Sequence, residues 1–167
     1  MATIHYVPDQ IKPRVLIVDN EGGICQALGH CLDKTRFQIN YAASAAVAYT
    51  LLEDISYDVI VTAVMLPDAD GAAFLARVRK AWPEIPVIIM AGDGQLQLAV
   101  NAIGNGAFDF MQKPFNSALM RSIVERAVNY TRLQRLERKY RDELQEIVAY
   151  RTVAHKKYSS HEASLQN

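Results

Sequence analysis

Cysteine is scarce in this chain: Cys25 and Cys31 are the only two in 167 residues. Six positions apart on an expected helix, they face different sides and cannot bridge. With no neighbouring Cys or His cluster to complete four ligands, they read as reduced packing thiols rather than a zinc site. Net charge is also absent, because 18 Lys plus Arg balance 18 Asp plus Glu. No overall basic field is therefore present to gather nucleic acid or anionic lipid. Half of the residues are hydrophobic, yet they fall in short runs, none long enough to span a bilayer. The opening MATIHYVPDQIKPR lacks the basic start, apolar stretch and small-residue cleavage site of a secretion signal. A cytoplasmic protein without membrane association is expected. Glycine and proline are missing from Ser117 to Asn167, which excludes most turns there and leaves room for one long helix.

Before that point strands and helices alternate. A polar leader, residues 1–13, precedes the continuous β-branched run Val15 to Val18, which suits a strand buried on both faces. Helical spacing follows over Ile24 to Leu32, then a short strand Gln38 to Ala42, and a helix capped by Ser44 and running through Leu52. Strand Val59 to Ala63, helix Ala72 to Trp82, strand Val87 to Met90, helix Leu96 to Ile103 and strand Asp109 to Gln112 complete the series. The alternation predicts an α/β fold, a flavodoxin-like doubly wound five-stranded parallel sheet in the order 2-1-3-4-5, with an extended C-terminal helix. Functional groups in such sheets gather beyond the carboxyl ends of the strands. That directs attention to Asp19, Asn20 and Glu21, then Ala63, then Ala91 and Gly92, and finally Lys113.

Four motifs at those strand ends, VLIVDNE, VTAVMLPDADG, PVIIMAG and GAFDFMQKPF, resemble the response-regulator receiver family over about Arg14 to Arg126. The resemblance implies a domain over residues 14–128 in which an aspartate at position 63 would accept a phosphoryl group. Position 63 is Ala63, which has no nucleophile. The acidic pair that would hold magnesium is Asp19 with Asn20, and the switch hydroxyl position is Ala91. Magnesium favours oxygen ligands with one or two carboxylates plus phosphate, so no metal or other cofactor is expected. By the same resemblance Lys113 precedes a cis proline, Pro114, and is aimed into the pocket. There it is expected to pair statically with Asp19 and leave the pocket stable when empty. Phe110 occupies the switch-aromatic position, and with Ala91 beneath it an inward ring is expected. Asp68, Asp70 and Asp93 read as turn formers in the surrounding loops.

Residues 129–167 form the helical extension. With Leu119 as a d position, the a and d positions run on through Tyr130, Leu133, Tyr140, Leu144 and Ile147, interrupted by Glu137 and Arg151 and broadened by Leu136 and Val148. A helix reaching to about Lys157 would extend roughly 60 Å, too far for the sheet to cover its apolar side. A homodimer through this helix is expected. The segment LERKYRDELQEIVAYRT also resembles signalling helices that join receivers to output domains, notably in proteins carrying an HD-GYP phosphodiesterase.

Two functions follow. One is a non-enzymatic pseudo-receiver that serves as an interaction and dimerisation module, with other signalling proteins or a missing output domain as partners. The alternative is the N-terminal regulatory fragment of a longer output enzyme, such as an HD-GYP cyclic-dinucleotide phosphodiesterase. DNA binding through Arg132, Arg135, Arg138, Lys139 and Arg141 is disfavoured, because Glu137, Asp142, Glu143 and Glu146 interleave with them.

Overall fold

The computed structural model describes residues 11–165; the first ten residues of the expected leader lie outside that range. The chain divides after Thr131 into two compact units.

In the first unit five strands, β1 (Arg14–Val18), β2 (Gln38–Ala42), β3 (Val59–Ala63), β4 (Val87–Ala91) and β5 (Asp109–Gln112), form one parallel sheet. Their order is β2-β1-β3-β4-β5, as the alternation of elements predicts. Four helices connect them: α1 (Gly22–Cys31), α2 (Ala45–Asp54), α3 (Gly71–Ala81) and α4 (Leu96–Gly104). The last helix, α5 (Ser117–Leu165), begins in this unit and supplies the described residues of the second.

Side chains alternate across the sheet, so the continuous apolar runs feed two cores. Leu16, Val18, Ile60, Val87 and Ile89 pack with Leu52, Phe74, Leu75 and Val78. Val15, Ile17, Val59, Val61, Ile88 and Met90 pack with Leu28, Leu32, Met120, Ile123 and Val124. β3 and β4 are buried throughout, which is why their sequences show no polar alternation. The buried Thr131 hydroxyl fastens the early part of α5 by donating to the Asp58 carbonyl at 2.7 Å.

Local chemistry fixes the helix starts. The Ser44 hydroxyl accepts from the Val47 amide, and the Asp70 carboxylate accepts from Ala73 at 2.7 Å. Gly71 is required by proximity, since a Cβ there would lie 2.4 Å from the Val64 carbonyl oxygen. Several boundaries differ from expectation by one or two residues, and the end of α5 by more. α1 starts at Gly22, with Glu21 as its N-cap residue. α5 continues to Leu165, because no Gly or Pro stops it; the hydroxyls of Ser159, Ser160 and Ser164 bond back to carbonyls four residues earlier.

Candidate functional site

The carboxyl ends of β1, β3 and β5, together with the start of α4, enclose a cavity of about 310 Å³ whose lining includes Asp19, Asn20, Glu21, Ala63, Gln95 and Lys113. The loop after β1 holds Asp19 almost fully buried, at 3% exposure. Both of its carboxylate oxygens are engaged. Oδ1 accepts the Glu21 amide at 2.9 Å, and Oδ2 accepts Lys113 Nζ at 2.8 Å. Lys113 reaches this position from a cis Lys113–Pro114 peptide, and its own amide donates to the Ala91 carbonyl at 2.8 Å. Glu21 approaches the same ammonium from the solvent side, 3.5 Å away. The lysine is thus shared between two carboxylates, one buried and one exposed.

Ala63 ends β3 at 5% exposure and contributes only a methyl group to the cavity. Ala91 is wholly buried at the end of β4 and is not part of the lining. Phe110 is half-buried, with its ring packed against the core cluster that includes Ala91. Asn20 is exposed at the rim.

These residues do not suit a divalent cation. The lining carboxylates are Asp19, already committed to an amide and an ammonium, and Glu21, which faces the same ammonium. A magnesium ion would have to displace Lys113 and would find no third acidic oxygen at position 63. The cavity can accept small polar groups, but it offers no carboxylate nucleophile at the end of β3.

Three features were not recognised from sequence. Gln95 closes the β4–α4 loop by a reciprocal pair of bonds, its Oε1 accepting the Gly92 amide at 2.8 Å and its own amide donating to the Gly92 carbonyl at 3.1 Å. Its place four residues beyond a strand end was the available signal. Asp68 does more than form a turn, since its carboxylate accepts the amides of Ala45 and Ala46, both at 2.9 Å, and so ties the loop after β3 to the start of α2. These two donors hold its carboxyl below the usual carboxylate range. Cys25, half-buried beside Asp19, has its thiol pushed up by burial first and by the Asp19 charge second, with Lys113 opposing. Cys31 is buried and donates to the Ser117 carbonyl.

The expected pairing residues are exposed. Tyr130 belongs to the first unit, its ring centroid 5.7 Å from that of Phe108. Leu133, Tyr140, Leu144 and Ile147 lie in the second unit, each more than half exposed.

Fold and strand-end site together define a doubly wound α/β domain with its pocket at the carboxyl ends of the strands. Residues 15–125 match the response regulator receiver domain, and the chain belongs to that family. Among curated relatives, an NtrX-like response regulator of Rickettsia felis is 34% identical over 123 residues, covering 72% of this chain and 26% of the relative. This chain therefore spans about a quarter of that protein's length. The receiver domain of NtrX from Brucella abortus superposes with a TM-score of 0.66 at 31% identity, over 69% of this chain and 98% of that one. The receiver domain of an HD domain-containing protein from Pseudomonas fluorescens gives 0.70 at 28% identity, over 74% and 92%. Among the described residues no helix is long and apolar enough to cross a membrane.

Proposed function

We propose that this receiver is a phosphorylation-independent pseudo-receiver, a cytoplasmic interaction and dimerisation module in a two-component type pathway. The observation that carries the reading is alanine at the end of β3, facing a lysine already neutralised by Asp19. A receiver transmits phosphorylation through a charge created at that strand end. Here no carboxylate accepts it, and the cation that would meet it has a resident partner. Signal passes instead through what the module binds and through its self-association. Burying each exposed Leu or Ile of the second unit against a partner helix contributes about 1.5–3 kcal/mol before ordering costs.

A second reading makes the module the N-terminal regulatory part of a longer output enzyme such as an HD-GYP phosphodiesterase. The likeness to the receiver of an HD domain-containing protein favours it. The two readings agree on the pocket and differ only in what the helix leads to.

The test is incubation with acetyl phosphate followed by intact-mass measurement. The mass is expected to stay unchanged, and Ala63→Asp is expected to restore weak labelling at most, because Asn20 and Ala91 remain. A hydroxylamine-sensitive phosphoryl adduct on the parent chain would sink the proposal.

A further inference from the structure

Glu137 and Arg151 both occupy a positions, two heptads apart, within an otherwise apolar seam. In a parallel, in-register pair each would face its own copy, Glu against Glu and Arg against Arg, in the part of the interface least accessible to water. Arg141 holds Glu137 within its own helix at 2.6 Å and so relieves one of these layers. No such relief exists for Arg151. The residues three and four positions to either side of it are Ile147, Val148, Ala154 and His155, none of them acidic.

Reversing one helix changes every one of these meetings. With a two-fold axis between Gln145 and Glu146, Leu144 lies level with the partner's Ile147, Tyr140 with the partner's Arg151, Glu137 with the partner's Ala154, and Leu133 with the partner's Tyr158. The partner's guanidinium then sits over the Tyr140 ring, one layer from the Glu137 carboxylate, and the small Ala154 leaves that carboxylate room to turn toward it. At the flanks Arg141 meets the partner's Val148, and Glu143 meets the partner's Tyr150. No like charges meet along the seam or its edges. The residues that form these layers, Leu133, Tyr140, Leu144, Ile147 and Tyr158, are each more than half exposed in the single chain.

We propose that the second unit pairs with a second copy of itself in the antiparallel sense, in this register, with Glu137 and Arg151 of opposite copies forming the charged lock. The inference rests on the self-association proposed above and adds its direction. The occupant is a second copy because the segment is complementary to its own reversal, in apolar order and in charge.

Same-site distances between spin labels decide the direction. The full chain, with Cys25→Ser and Cys31→Ala to remove native thiols, carries one new cysteine at a time in place of Arg135, Asp142, Ala149 or Lys156. In the antiparallel pair, labels at 142 or 149 are offset along the axis by about 10 Å, and labels at 135 or 156 by about 32 Å. A parallel pair gives four similar distances, which would overturn the inference while leaving self-association intact. A monomer by light scattering would overturn both.

Charge reversal in the otherwise native chain gives an independent answer that does not depend on replacing buried Cys31. Glu137→Arg alone and Arg151→Glu alone should each raise the dimer dissociation constant about tenfold, and the double reversal should return it toward the parent value. Single reversals without effect would contradict the antiparallel lock.

Discussion

Val15 to Val18 in the first unit and Leu133 to Ile147 in the second are both apolar patterns, yet only the first is covered by its own chain. The sheet feeds a core on each face, and β3 and β4 have no exposed residue. In the second unit, residues spaced for a helical seam stay more than half exposed. Apolar spacing therefore specifies a surface that must be covered without specifying what covers it. In the sheet the cover is supplied by helices of the same unit, including the distant start of α5; the seam residues of the long helix stay exposed in the single chain.

The sharpest test of this contrast compares truncations of similar size. Phe74→Ala, in the first core, should destabilise the first unit by about 3–5 kcal/mol, whereas Leu144→Ala should change its unfolding by less than about 0.5 kcal/mol. Denaturant titration followed by the fluorescence of Trp82 measures both. Equal losses would mean that the two units do not unfold as separate cores.

A somewhat smaller effect is expected in the pocket. Lys113→Ala leaves the buried Asp19 carboxylate without its ammonium and should cost about 3 kcal/mol, while Asp19→Asn added to it should recover part of the loss by removing the stranded charge. If Lys113→Ala were as stable as the parent, the ion pair would not be what keeps the cavity intact.

The smallest effect concerns Asp68. Its carboxyl is held low by the two α2 amides, so its contribution is fully present above the unfolded value near pH 4 and is lost as pH falls through the lowered folded value. The protection factors of the Ala45 and Ala46 amides, with the intrinsic pH dependence of exchange divided out, should fall as the solution is acidified through that window. Asp68→Asn should flatten the dependence; an unaltered acid profile in that variant would show that another group ties the loop.

Much of this was legible because the strands announce themselves. Runs of Val and Ile bounded by Pro, Gly and Asp allow few registers, and Gln38 to Ala42, Val59 to Ala63 and Asp109 to Gln112 are strands over those same residues. The pairing of Asp19 with Lys113 was legible through the family resemblance, although β3 and β4 separate their strands in the sheet, and the structure places them 2.8 Å apart. Gln95 was not, because a glutamine at a helix start looks like any surface residue until the loop closes on Gly94, whose φ is +75°. The Asp68 tie was hidden for a different reason. Its donors are 23 and 22 residues earlier in the chain, so only the assembled sheet brings them within reach. Tyr130 fits the heptad as well as its neighbours do, and nothing in that spacing discloses the Phe108 ring beside it.

Gly71 has a bearing on how such a domain can change over generations. The Val64 carbonyl leaves no room for any side chain at 71, whereas a few residues away position 63 opens onto a cavity. A side chain at 71 would force the backbone apart whatever task the domain performs. A larger side chain at 63 would instead enter the cavity. The two constraints fall at opposite ends of one loop, on the last residue of β3 and the first of α3.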